Sequence, residues 1–143
     1  MNVNKIMSSD VIQITPDTTV SQAAEAMRTH DVGILPVCDE NNQMMGIVTD
    51  RDIVVRLMNK SGDWSQTTIR GAITPEVVCV SPDTDCEIAA DIMAEEKIRR
   101  LPVVNDDGRL VGMLSLGDLA SVKSMDAVCG DAMHDICSCK HRR

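Results

Sequence analysis

The chain has 143 residues, enough for one compact domain or two small halves sharing a core, and its 43% hydrophobic and 25% charged content is ordinary for a folded globular protein. Phe and Tyr are absent and Trp64 is the single aromatic residue, which leaves almost no means of stacking nucleic-acid bases; the formal charge of −8 opposes binding to a phosphate backbone or an anionic lipid surface. No apolar run approaches the roughly 18 residues of a membrane span and the start Met-Asn-Val-Asn-Lys lacks a signal-peptide core, so the sequence reads as cytoplasmic, with neither nucleic acid nor membrane as partner.

In chain order, residues 11–14 (Val-Ile-Gln-Ile) predict a short strand, and residues 15–18 (Thr-Pro-Asp-Thr) a turn and a helix start near Thr18. Val20, Ala23, Ala24 and Met27 follow the spacing of one apolar helical face, and Gly33 marks the exit into Ile34-Leu-Pro-Val. Residues 39–43 form a polar turn between that strand and a second one ending at Val48, so the two are expected to pair antiparallel. After Thr49 a second helix is expected to carry Ile53, Val54, Leu57 and Met58 inward, before a polar linker at residues 59–68. One β-α-β-β-α unit results. Cys38, Cys79 and Cys86 read as small buried or half-buried hydrophobes rather than parts of a disulfide framework.

Sliding residues 3–56 onto 69–122, a constant offset of 66, gives twelve identities: Val11, Pro16, Asp17, Thr18, Ala23, Ala24, Met27, Leu35, Pro36, Val37, Gly46 and Asp52. They fall at turns, on the helix face and at strand ends, where backbone geometry is most specified, and predict a structural repeat. The most informative matched stretch is Gly-Ile-Val-Thr-Asp-Arg-Asp at residues 46–52, answered by Gly-Met-Leu-Ser-Leu-Gly-Asp at 112–118. A buried strand running into a hydroxyl and, three residues later, an aspartate predicts a strand-to-helix turn. Two readings stay open there. Thr49 with Asp52, and Ser115 with Asp118, can form capping boxes that satisfy the first helical N–H groups. The same groups can hold a ribose phosphate, the N–H groups facing phosphate and the carboxylate accepting from the ribose 2′ and 3′ hydroxyls.

These paired turns, the Leu-Pro-Val strands and the Pro-Asp-Thr helix starts resemble the CBS domain, in the form of a stand-alone tandem pair or Bateman module. The resemblance implies an α/β fold of two β-α-β-β-α repeats packed about a pseudo-two-fold axis with two clefts between them, and association into homodimers. Repeat 1 is placed at residues 1–58, a linker at 59–68, repeat 2 at 69–124 and a C-terminal helix and tail at 125–143. In members that bind adenosyl ligands the motif aspartate holds the ribose and the hydroxyl lies near phosphate or ribose. That implies Thr49, Asp52 and the intervening Asp50 and Arg51 in one cleft, Ser115 and Asp118 in the other. The adenine would be enclosed by Ile12, Gly33, Ile34 and Pro36 in the first cleft and by Val78 and Pro102 in the second. Basic residues before the second Leu-Pro-Val often meet phosphates in this family, and Arg99 and Arg100 stand there.

The arginines also argue for themselves. Lys97, Arg99 and Arg100 cluster in an acidic chain, and guanidinium groups can grip phosphate bidentately or instead pair with Glu95 and Glu96. Arg51 likewise can meet phosphate or pair with Asp50. Gly33 and Ile34 occupy the places of Arg99 and Arg100 in the first repeat, so the two sites are expected to differ, with the second the tighter for a phosphorylated ligand.

Beyond the repeats, Met125, Val128, Cys129, Ala132, Met133 and Ile136 form an apolar stripe at helical spacing, despite Gly130 costing about 1 kcal/mol of helix propensity. It can cover the module or a second subunit. His134, Cys137, Cys139 and His141 offer soft metal ligands at no familiar zinc spacing, and a mobile polar end is the default expectation. Truncation at Ser124 is expected to leave both clefts intact. The leading function is a regulatory module that senses AMP, ADP, ATP, NAD or S-adenosylmethionine and acts in trans on a protein partner, with no cofactor required. The alternative is a thiol- or metal-responsive dimeric scaffold using the tail. Neither motif sets an activated nucleophile beside a base, and His30 is isolated, so an enzyme is not expected.

Overall fold

A computed structural model of the chain describes residues 1–60 and 62–138. It contains two small sheets, β1 (Ile34–Cys38) with β2 (Met44–Thr49), and β3 (Arg100–Val104) with β4 (Leu110–Ser115). The first pair is antiparallel as expected, running from Ile34 opposite Thr49 to Val37 opposite Gly46, with an irregularity before Cys38. The helices are α1 (Val20–His30), α2 (Asp50–Asp52) continued by a π-helical stretch (Ile53–Leu57), α3 (Cys86–Glu96), α4 (Leu116–Ala120) and α5 (Asp126–Ser138).

The predicted strand at residues 11–14 and its repeat at residues 77–80, at the offset of 66, are each reduced to a single parallel bridge, Ile14 with Val37 and Val80 with Val103. Proline explains the loss. Ile14 donates to the Pro36 carbonyl and accepts from Cys38 N–H at 2.9 Å each, and Val80 does the same with Pro102 and Val104 at 3.0 and 2.9 Å. Continuing either ladder one step back would need an N–H from Pro36 or Pro102, and one step forward an N–H from Pro16 or Pro82, and none of these has one.

Helix α1 starts one residue later than expected. Thr19, not Thr18, is the cap, its hydroxyl accepting from Gln22 N–H while the Gln22 amide oxygen accepts from Thr19 N–H; the Thr18 hydroxyl accepts from Thr15 N–H instead. Asp85 caps α3 in the same place. Both helices end on a left-handed residue at matched positions, Asp31 at φ 51° and Lys97 at φ 58°. On α1, Val20, Ala23 and Met27 are buried but Ala24 is exposed, against expectation; on α3 all four matched residues, Cys86, Ala89, Ala90 and Met93, are buried. After α2, only Ile53 and Leu57 turn inward, while Val54 and Met58 are 58% and 47% exposed. The stretch is wound as a π-helix, whose wider turn moves side chains off the 3.6-residue spacing that placed all four on one face.

The chain forms two compact units that do not follow the sequence repeats at their edges. One contains residues 12–77 with 107–110; the other contains residues 1–11 and 78–106 with 111 onward. Each repeat's leading segment thus joins the unit of the other repeat. Val3 N–H donates to the Thr84 carbonyl at 2.8 Å in one unit, and Ile69 N–H to the Thr18 carbonyl at 2.9 Å in the other. The same segments then run beside the motif strands, Ser8 bridging Met113 and Thr74 bridging Ile47. That approach explains the first residue of each motif: a Cβ on Gly46 would lie 2.5 Å from the Thr74 carbonyl oxygen, and one on Gly112 2.6 Å from Met7 Sδ.

The first unit's core gathers Ile14, Val20, Ala23, Met27, Leu35, Val37, Val48, Ile53, Leu57 and Ile69. The second unit's core is larger, because Cys129, Ala132 and Ile136 of α5 join Ala90, Met93, Leu101, Leu114 and Leu119. The apolar stripe beyond the repeats therefore covers α3 and α4 of its own unit. Cys38 and Cys86 are buried and Cys79 half-buried.

Candidate functional site

In the first unit the predicted residues assemble around the turn from β2 into α2. Asp50 N–H donates to the Gly33 carbonyl at 2.9 Å, and Ile34 lies opposite Thr49, so Gly33, Ile34, Thr49, Asp50 and Asp52 meet at one corner. Pro36 is buried two residues further along β1, and Ile12 is half-buried against the core. The capping box is formed: Thr49 Oγ1 accepts from Asp52 N–H at 3.1 Å and Asp52 Oδ2 from Thr49 N–H at 3.0 Å. Its other oxygen, Oδ1, stands 3.8 Å from an Arg56 guanidinium nitrogen. Asp50 turns its carboxylate over Gly33, so close that a Cβ there would lie 2.9 Å from Asp50 Oδ2. The pairing expected between Arg51 and Asp50 is made by the Arg51 backbone N–H, at 2.8 Å, rather than by its guanidinium.

The second unit repeats the corner with different side chains. Leu116 N–H donates to the Arg99 carbonyl at 2.9 Å, the counterpart of the Asp50–Gly33 bond. Ser115 Oγ accepts from Asp118 N–H at 3.0 Å; Asp118 Oδ2 accepts from Ser115 N–H at 2.8 Å and from the Ser115 hydroxyl at 2.7 Å. The box therefore fixes the carboxylate through one oxygen. Val122 stands where the first unit has Arg56, and among the described residues Asp118 forms no ion pair. The two readings of the motif are compatible, because the cap consumes Oδ2 and orients Oδ1.

A cavity of about 480 Å³ opens beside this corner, lined by Arg99, Arg100, Ser115, Leu116, Gly117 and Ala120 on one side and by Cys129, Gly130 and Met133 of α5 on the other. Three predicted site residues share it, while Asp118, Pro102 and the partly exposed Val78 are not among its walls. Among the described residues no carboxylate pairs with Arg99 or Arg100, so the expected alternative of pairing with Glu95 and Glu96 is not realised. Lys97 departs from the cluster and donates to the Asp135 carbonyl of α5. Burial, with Asp126 nearby, pushes the Cys129 thiol up, so it stands in the wall as a neutral apolar group.

The wall from α5 was not foreseen: truncation at Ser124, expected to leave both clefts intact, would remove Cys129, Gly130 and Met133 from the lining of this cavity. The only sequence signal for it was Gly130, a poor helix former inside an otherwise regular stripe. Of the soft ligands near the end, His134 and Cys137 are exposed, Cys137 Sγ lying 3.8 Å from Met133 Sδ, while Cys139 and His141 lie outside the described residues. No cluster of three metal-binding side chains occurs among the described residues. No helix among them is long and apolar enough to cross a membrane.

The CBS domain model matches residues 3–59 and 69–124, spanning both motif corners. The chain belongs to the CBS domain family. It is 36% identical over 135 residues to the CBS domain-containing protein YhcV of Bacillus subtilis, covering 94% of each chain. Its fold matches a conserved CBS domain protein, TA0289, of Thermoplasma acidophilum at a TM-score of 0.79 and 30% identity, over 94% of this chain and 75% of that one. It also matches the CBS-pair protein CBSX2 of Arabidopsis thaliana, solved in complex with AMP, at a TM-score of 0.76 and 30% identity over 88% of this chain and 98% of that one. The CBS repeat thus accounts for both corners, whereas α5 lies beyond the matched residues.

Proposed function

We propose that this CBS pair is a regulatory module that binds an adenosyl compound, with AMP, ADP or ATP as the leading ligands and NAD or S-adenosylmethionine as further ones, and acts in trans on a protein partner as a cytoplasmic homodimer. The observation that carries the reading is the second unit's corner: two arginines without a carboxylate partner among the described residues share a cavity with the Ser115 hydroxyl, and that hydroxyl is bonded to a fixed Asp118 carboxylate. Arginine forks suit phosphate, and a carboxylate with a free oxygen suits a ribose hydroxyl. The structure of a similar protein with AMP supports the ligand class.

The second unit is the tighter site for a phosphorylated ligand. In the first unit Asp50 lies over Gly33 and Arg56 stands beside Asp52, so negative charge occupies the place of Arg99 and the carboxylate already has a cation. Calorimetry with ATP, AMP, NAD and S-adenosylmethionine tests the class, and titrating Asp52→Ala against Asp118→Ala at several salt concentrations tests the ranking. Tight, salt-dependent binding that survives Asp118→Ala and is lost in Asp52→Ala reverses it.

A further inference from the structure

Gly130 stands inside α5, where glycine is the least favoured residue other than proline. Packing does not require it, for a Cβ at Gly130 would meet no atom within 4 Å. Its backbone faces the cavity instead, between Cys129 and Met133, across from Arg99, Arg100 and Ser115. A helix-interior glycine with open space before it, opposite two arginines that no carboxylate pairs among the described residues, leaves room for the close approach of a ligand. The cavity, at about 480 Å³, falls within the roughly 300–1,000 Å³ of small-molecule sites.

We propose that α5 is the outer wall of the phosphate-binding site and that Gly130 sets the size of the phosphoryl-bearing group admitted against Arg99 and Arg100. The proposal rests on the adenosyl reading for the body of the ligand but not for its anionic end. Anion charge falls to the arginines, the Ser115 hydroxyl proton being already donated to Asp118 Oδ2, and the uncharged face of the ligand lies along Cys129, Gly130 and Met133.

The test uses the full chain. Gly130→Ala and Gly130→Leu fill the space with one and four carbons, and Ala127→Leu adds three carbons at an exposed α5 position outside the cavity. Each variant is titrated calorimetrically with ATP and with inorganic triphosphate, and its melting temperature is recorded. The expected result is a loss of at least about tenfold in affinity for Gly130→Leu, a smaller loss for Gly130→Ala with a melting temperature no lower than wild type, and no change for Ala127→Leu. Equal affinity of wild type and Gly130→Leu for ATP overturns the proposal while leaving the adenosyl reading standing. If wild type binds no nucleotide, the adenosyl reading fails and triphosphate decides the wall: binding lost in Gly130→Leu supports it, and binding by neither, or equally by both, overturns it.

Discussion

Ala24 and Ala90 hold the same place in α1 and α3, yet Ala24 is exposed and Ala90 is fully buried. The difference is α5, which lies on α3 and brings Cys129, Ala132 and Ile136 into the second unit's core. In the first unit Val54, Val55 and Met58 remain exposed after α2, where the second unit has Ala120, Ser121 and Ser124. The motif corners diverge in parallel: Gly33, Asp50 and Arg56 on one side, Arg99, Leu116 and Val122 on the other, on superposable hydrogen bonds. A repeat therefore transmits backbone rules, such as caps, proline breaks and left-handed helix ends. It does not transmit environment, which each copy takes from what covers it.

The largest effect that can break this comparison comes from α5. Ile136→Ala is expected to cost about 2–5 kcal/mol in denaturant unfolding, because Ile136 is buried between α5 and its unit. Val54→Ala, on the uncovered side, is expected to stay within about 0.5 kcal/mol. Similar losses in both would show that the first unit's exposed side is covered in solution by something of comparable area.

Next come the carboxylates. Asp118→Ala is expected to weaken phosphorylated adenosyl-ligand binding by about 1.5–3 kcal/mol, the worth of a hydrogen bond to a charged group. Asp52→Ala should cost less, because Asp52 Oδ1 already has Arg56 beside it. Both variants also lose the return bond of a capping box, worth about 1 kcal/mol of stability, so ligand titration and unfolding must be read together.

Much of this was legible before any coordinates. The repeat, the antiparallel hairpins and the capping boxes follow from local rules whose residues are adjacent in sequence, and Thr49, Asp52, Ser115 and Asp118 act as those rules require. The short strand at residues 11–14 failed because the donors it would need on either side of its one bridge are prolines, a fact visible only once the register is known. The exchange of leading segments was hidden for a related reason. Gly46 and Gly112 stood out as motif glycines, but what presses on them arrives from residues 74 and 7, far away in sequence. The pi-helical turn and the α5 wall likewise depend on packing that periodicity does not encode.

A smaller test returns to the helices. Ala90→Leu forces three extra heavy atoms into a filled interface and is expected to cost about 1–3 kcal/mol, whereas Ala24→Leu projects into solvent and should be near neutral. Melting temperatures of the two variants check it. Equal destabilisation would place a second surface over α1.

The smallest expected effect concerns Arg56, the residue that most separates the two carboxylates. Its guanidinium stands 3.8 Å from Asp52 Oδ1 and 3.3 Å from the Ala72 carbonyl, and both side chains of the ion pair are partly open to water. A pair so placed contributes at most about 1 kcal/mol. Arg56→Val copies the second unit, where Val122 stands, and should lower stability by no more than about that amount. Its effect on the site is the sharper readout. In an Asp118→Ala background, where the second corner is disabled, freeing Asp52 Oδ1 should raise the first corner's affinity for an uncharged adenosine by up to about fivefold, since that oxygen no longer shares its charge with a cation. Adenosine is the right probe because it carries the ribose but no phosphate, so loss of a positive charge cannot weaken it directly. A fall in affinity would mean that Arg56 aligns Asp52 for the ribose rather than competing with it, and the two corners would then differ in how they hold the sugar, not in whether they can.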